Sequence, residues 1–192
     1  MNASPVSAPT IEPWLRGTHA DVPAAGRAVL HALELSLDDL TKWTAGLTDA
    51  EVHAQPLGLT SIAFHLRHIA RSVDRILTYA EGGQLSAEQL AALNTEKAGT
   101  EQTSAEQDGA EQGAEGKQES LAALLAEVEV SFSDAADRIR VLATADLNTP
   151  RFVGRKQLPT SIGGAMIHVA DHTLRHTGQV VTTAKVIKAL RT

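Results

Sequence analysis

Three histidines recur at every fourth position near the end of the chain: His168, His172 and His176. In an α-helix such residues project from one stripe, and successive members lie about 6 Å apart along the axis. A pair of imidazoles at this spacing is a natural chelate for a divalent metal ion. The same stripe also carries Asp171, Arg175 and Gln179. A solvated face usually carries Lys and Glu, and neither occurs in residues 160–181, so the pattern favours a metal site.

A chelating pair needs a third ligand, and an earlier segment offers His65 and His68. By helical angle His65 lies nearer the centre of that segment's apolar face, whereas His68 lies at its edge, so geometry mildly favours His65. Either residue could instead be a boundary histidine that bonds to a neighbouring backbone or side chain. His19, His31 and His53 have no partners at useful spacing and are interpreted as structural or exposed residues.

An internal echo bears on the same choice. Thr60-Ser61-Ile62 stands five residues before His68-Ile69-Ala70, and Thr160-Ser161-Ile162 stands five residues before His168-Val169-Ala170. The echo is either a coincidence between two capped amphipathic helices or a pseudo-repeat. A pseudo-repeat would place the two helices in related positions with their histidines at similar depth, which favours His68 as the third ligand.

The composition restricts the class of protein. The chain has 192 residues, 43% of them hydrophobic and only 3% aromatic, which suits one helical domain better than a sheet. A net charge of −6 argues against a general binder of nucleic acid. Without cysteine, any metal site must use His, Asp or Glu. We see no signal peptide and no apolar run of about 20 residues, so we expect a cytoplasmic protein with no membrane partner.

Hydrophobic periodicity predicts an all-α four-helix bundle. Residues 1–19 are rich in proline and are interpreted as an extended N-terminal arm, and residues 20–192 as a single domain. Four long helices are predicted at about 24–45, 60–80, 117–143 and 160–190. Between the second and third, residues 82–118 form a polar, partly mobile insert with a short helix around Ser86–Leu93.

Two motifs together resemble the DinB-like superfamily (DinB/YfiT). They are Phe64-His65-Leu66-Arg67-His68-Ile69-Ala70 and His172-Thr173-Leu174-Arg175-His176-Thr177-Gly178-Gln179. The resemblance extends from about Glu12-Pro13-Trp14 to the end of the last helix, and it implies a metal-binding four-helix bundle that is often dimeric. It also implies Zn or Ni held by His68, His172 and His176, with His168 as an inner neighbour and Gln179 behind the ligands. The segment 94–118 is longer and more polar than such a bundle needs, and no function is carried onto it.

The resemblance implies a metal-dependent transferase acting on low-molecular-weight thiols such as bacillithiol or mycothiol. Three imidazoles leave an open position for water or substrate, so a metal-dependent hydrolase is chemically as plausible. A third hypothesis is a non-catalytic, metal-stabilised homodimer with a stress or interaction role. In a fourth, the histidines line a polar cavity without metal. No residue identifies itself as a general base, and Asp171 and Arg175 could simply form a pair on the helix surface.

Overall fold

The computed structural model describes residues 11–105 and 118–191, with side chains described for 11–96 and 118–191. Its helices are α1 (Ala24–Thr44), α2 (Asp49–His53), α3 (Ile62–Ala80), α4 (Ala87–Ala105), α5 (Leu121–Leu142) and α6 (Ile162–Leu190). Its strands are β1 (Pro150–Val153) and β2 (Leu158–Ser161). Short 3-10 turns occur at Pro13–Leu15 and Pro56–Gly58.

The four long helices α1, α3, α5 and α6 form a bundle, which confirms the predicted all-α class. Helix α3 packs against α5 and α6, and α1 packs against the same two helices from the other side. The core between them consists of aliphatic side chains that are fully buried, among them Leu40, Ile62, Leu66, Ile69, Leu77, Leu124, Ile139 and Met166. Within the described residues, none of the helices combines the length and apolar character that a membrane crossing requires.

Serine side chains fix where three of the long helices begin. Ser61, Ser120 and Ser161 accept hydrogen bonds from the backbone N–H groups of Phe64, Ala123 and Gly164. These caps satisfy N–H groups that have no partner within the helix. The Ser120 cap makes the third long helix begin at Leu121 rather than near residue 117, where the sequence predicted its start. The two serines of the internal echo, Ser61 and Ser161, are therefore the N-caps of α3 and α6.

A small hairpin occupies part of the connection between α5 and α6, where the sequence predicted no strand. Strand β1 pairs antiparallel with β2, with Phe152 opposite Pro159. The turn places Gly154 and Gln157 at positive φ. Each strand contains a proline, which cannot donate an N–H to the ladder and is therefore rare in strands. The prolines thus argue against a strand when the sequence is read alone.

The insert contains a longer helix than the predicted Ser86–Leu93, since α4 extends to Ala105. Ser86 and Gln89 exchange hydrogen bonds between side chain and backbone at its start, which is a capping box. The Gln89 amide also donates to Asp74 and Thr78 of α3. The first half of the insert is thus anchored to the bundle, while residues 106–117 lie outside the described residues.

We predict that Gly26→Ala destabilises the bundle by about 1–3 kcal/mol. Gly26 is buried in α1, and a Cβ added there would overlap the Cβ of Ala143. The matched control is Gly178→Ala in α6, where an added Cβ meets no atom within 4 Å. Alanine favours helix, so the control is expected to gain about 0.5–1 kcal/mol. Urea unfolding of both variants measures the difference, and equal effects would contradict the close α1–α5 packing.

Candidate metal centre

Helices α3 and α6 pack against each other and place their histidines in the space between them. The Nε2 atoms of His68 and His172 lie 2.9 Å apart. The ring of His176 lies 4.5 Å, between centroids, from the rings of both His68 and His172. One ligand atom from each of these three residues lies within 4.8 Å of the others, and all three side chains are half-buried. Such a group could hold a divalent metal ion.

A buried carboxylate fixes the orientation of His68. Its Nδ1 lies 3.1 Å from Oε2 of Glu96. The Arg75 guanidinium donates one hydrogen bond of 3.0 Å to each oxygen of the same carboxylate. The Glu96 and Arg75 side chains are only 7% and 9% exposed. Burial raises the pKa of Glu96, but the hydrogen bonds from His68 and Arg75 outweigh burial and lower it. An ionised Glu96 accepts the Nδ1–H of His68 and holds Nε2 toward His172, so Nε2 is the nitrogen placed to bind a metal ion.

Glu96 lies in α4, within the insert to which no function was assigned from the sequence. No spacing rule links it to His68, because the two residues meet only when α4 docks on α3. Nothing in the sequence singles Glu96 out, because the segment 94–118 contains five other acidic residues. The ring of Phe64, at 5.5 Å between centroids and an interplanar angle of 8°, stacks on His68 and supports the same orientation.

His65 lies behind the group of three rather than within it. Its side chain is buried, as expected from its place at the centre of the apolar face, and its Nδ1 lies 3.0 Å from Nδ1 of His176. The Gln179 side chain also hydrogen-bonds to His176, so the predicted supporting place of Gln179 agrees with the structure. His176 is therefore held from outside by two side chains, one from each helix.

His168 is a neighbour of the cluster, with its ring centroid 5.3 Å from that of His172, but the prediction that it lies on the inner side was wrong. Its side chain is 52% exposed, and its nearest acidic oxygen is Oδ2 of Asp171 at 4.0 Å. Asp171 and Arg175 form an exposed ion pair, four residues apart, as the helix-surface interpretation expected. The two histidines of the internal echo do not lie at similar depth, because His168 faces solvent and His68 faces α6.

Electrostatics keep the imidazoles of His65, His172 and His176 neutral near pH 7. Burial, followed by the charges of neighbouring imidazoles, lowers the pKa of His65, His172 and His176 to about 4. The Arg175 guanidinium adds to the shift at His172 and His176. A neutral imidazole has a lone pair free for a metal ion, so protons compete little for these ligands at neutral pH.

We predict that the metal-free protein loses stability as the pH falls from about 6.5 toward 4. In the unfolded chain these histidines take up protons near their ordinary pKa of 6.5, whereas His65, His172 and His176 stay neutral in the fold down to about 4. The unfolded state then binds more protons, so acid favours it. Urea unfolding in EDTA at pH 7, 6 and 5 measures the loss. The loss should be smaller in His65→Gln, and a stability independent of pH would contradict the neutral cluster.

Two cavities flank the group. One of about 370 Å³ is lined by residues that include Thr60, His65, Gln179 and Thr182. The other, of about 280 Å³, is lined by Phe64 and Glu96 together with Arg67 and Arg71, which pair with Glu119 and Glu127. The first cavity is lined by His65 and Gln179, which contact His176, and the second by Phe64 and Glu96, which contact His68. A small molecule in either cavity therefore lies next to residues that contact the cluster.

A bundle of four long helices, with three convergent imidazoles between two of them, defines a helical protein that could hold a metal ion. The family model of the DinB superfamily matches residues 32–180. This chain belongs to the DinB superfamily, as the two histidine motifs predicted. A search of curated proteins found no match.

Proposed function

We propose that this protein is a metal-dependent transferase of low-molecular-weight thiols. It would bind Zn²⁺ or Ni²⁺ through His68, His172 and His176. The observation that carries the proposal is the convergence of three imidazoles near a 370 Å³ cavity, which is lined by His65 and Gln179, the neighbours of His176. Three imidazoles suit both ions, and three protein ligands leave a position for a substrate. A cavity of this size accommodates a small organic thiol.

The residues around the three histidines fit a metal centre. Glu96 accepts from Nδ1 of His68, and His65 contacts Nδ1 of His176, so two of the three imidazoles have outer partners. Outer partners of this kind orient metal-ligating histidines and increase their basicity. When bound, a divalent ion favours the thiolate form of a thiol that coordinates it.

Side chains of the larger cavity would bind and orient the thiol substrate. Thr60, Thr182 and Gln179 offer hydroxyl and amide groups at the wall, and Arg175 offers a guanidinium at the rim. A carboxylate or hydroxyl on the thiol would hydrogen-bond to these groups, and its sulfur would lie toward His176. In the transfer, sulfur attacks an electrophilic carbon, a C–S bond forms, and the leaving group departs with its electron pair. The thiol proton passes to solvent through the cavity.

The proposal is tested by incubating the zinc- or nickel-loaded protein with cysteine-derived thiols and an electrophilic aryl chloride. We expect conjugate formation that stops after treatment with EDTA and is absent in His172→Ala. His168→Ala is the matched control on the same helix and should retain activity. Conjugation at equal rates in loaded and stripped protein would contradict the proposal. Turnover of esters or amides alone would instead support a metal-dependent hydrolase, which uses the same ligands.

The non-catalytic alternative has an observation of its own. An ion held by these three histidines would join α3 to α6, and exposed apolar residues at a cavity between the N-terminal segment, α1 and α6 suit contact with a second copy. Trp14 and Leu174 line one cavity, and they are 62% and 39% exposed. We propose a homodimer, and sedimentation of wild type and Leu174→Glu tests it. A metal that raises the melting temperature without any turnover would favour the structural role.

A further inference from the structure

A second cluster of metal-ligating side chains lies away from the α3–α6 centre and consists of His19, His31 and Glu34. One ligand atom from each lies within 4.8 Å of the others. Nε2 of His19 is 2.6 Å from Oε1 of Glu34, and the two imidazole rings are 5.6 Å apart between centroids. The sequence predicted no partners at useful spacing for these two histidines. The segment before α1 folds back along that helix, so Nε2 of His19 meets Glu34 and Nε2 of His31 lies 3.1 Å from Oγ1 of Thr18.

Local structure directs the three side chains to one place. His31 and Glu34 are three residues apart in α1, so they share a face of the helix. His19 has a φ of 57°, in the left-handed region, and its carbonyl accepts from the N–H of Val22 in the turn that leads into α1. Non-glycine residues are uncommon in this region, although histidine adopts it more readily than most, and such conformations cluster at functional positions.

One oxygen of Glu34 accepts no hydrogen bond from the described residues. Oε1 bonds to His19, but Oε2 is buried from solvent with no hydrogen bond among the described residues. The closest positive group to Oε2 is Nη1 of Arg16, at 4.0 Å. A buried carboxylate oxygen without a donor is costly, and a bound cation would satisfy it.

We propose that His19, His31 and Glu34 form a second divalent metal site. Two imidazoles and one carboxylate are a ligand set that Zn²⁺ uses in proteins. A cavity of about 240 Å³ adjoins His19 and Glu34 and leaves room for water or a small ligand on the ion. This site shares no residue with the α3–α6 centre, so it holds its ion whether or not that centre does.

Arg140 opposes the second site and makes it weaker. Its Nη2 lies 2.7 Å from Nδ1 of His19, so the guanidinium donates to that nitrogen and places a positive charge beside the cluster. Its Nη1 also contacts Asp21, at 3.2 Å, which offers the guanidinium another partner. Binding of the ion to Nε2 of His19 requires Nδ1 to carry the proton, so Arg140 must move toward Asp21.

The test is a calorimetric titration of the EDTA-stripped full chain with Zn²⁺. We expect two ions per chain in wild type, one in Glu34→Gln, one in His172→Ala and none in the double variant. His53→Gln, whose imidazole bonds to the Glu119 carbonyl and belongs to neither cluster, is the control and should bind two. If Glu34→Gln binds as many ions as wild type, the second site is wrong. If His172→Ala does so, the α3–α6 centre is wrong instead.

A further variant separates a metal site from a purely structural ion-pair network. Arg140→Gln removes the positive charge, and its amide oxygen can accept from Nδ1 of His19. We expect Zn²⁺ to bind the second site about tenfold more tightly, because a repelling charge and a competing donor are both lost. Unchanged or weaker binding there would overturn the proposal. Circular dichroism checks that each variant folds, and His19→Gln replaces Glu34→Gln if the latter does not.

Discussion

His172→Ala is expected to remove nearly all of the metal from the α3–α6 centre. The substitution leaves two imidazoles where three converge, and it removes the one whose Nε2 lies 2.9 Å from that of His68. The loss in affinity should exceed the 10–100-fold that typically follows loss of an outer hydrogen-bond partner of a ligand. Metal analysis after dialysis against a weak chelator, in a Glu34→Gln background, reports this centre alone.

His168→Ala is the control for that experiment. It removes an imidazole one turn earlier on α6, with the same chemistry and helix propensity, but its side chain is half exposed and lies outside the cluster. We expect its metal content to equal that of the parent protein. Equal metal content in His172→Ala and His168→Ala would mean that the three convergent imidazoles do not hold the ion.

Glu96→Ala is expected to weaken metal binding 10–100-fold and to destabilise the metal-free protein by about 3 kcal/mol. Two effects act together. His68 loses the acceptor for its Nδ1–H, so its ring and tautomer are no longer fixed. Arg75 loses a carboxylate that receives two of its hydrogen bonds, and its charge remains buried. Metal titration and urea unfolding measure the two effects separately.

A double variant distinguishes these effects. In Glu96→Ala/Arg75→Leu both buried charges are gone, so much of the stability should return. The metal affinity should stay low, because His68 still lacks its acceptor. If the metal affinity recovers together with stability, Glu96 acts through the fold and does not orient His68.

The bundle could be predicted from the sequence because its helices carry strong local signals. Apolar periodicity located α1, α3, α5 and α6, and serine caps fixed where three of them begin. The hairpin and the full length of α4 could not be predicted, since prolines interrupt both strands and α4 has almost no apolar face. Its position depends on contacts such as that of Gln89 with Asp74, which no local pattern encodes.

Some residues of the candidate site could be predicted from local sequence signals, and others could not. His172 and His176 follow from helical spacing alone. The choice between His65 and His68 depends on how α3 is rotated against α6, and a helical wheel that finds the apolar centre finds the more buried residue, His65. Glu96 and the His19 cluster depend on chain segments folding back onto helices, so their partners are distant in sequence and carry no periodic signal.

Anomalous diffraction at the zinc absorption edge, from crystals of the zinc-loaded protein, shows directly whether the three histidines bind the ion. We expect an anomalous peak about 2.0–2.1 Å from one nitrogen each of His68, His172 and His176. Diffraction separates this position from the His19 cluster, so an ion there does not confuse the result. Zinc bound elsewhere, with no peak among these three imidazoles, would rule out the three-histidine centre.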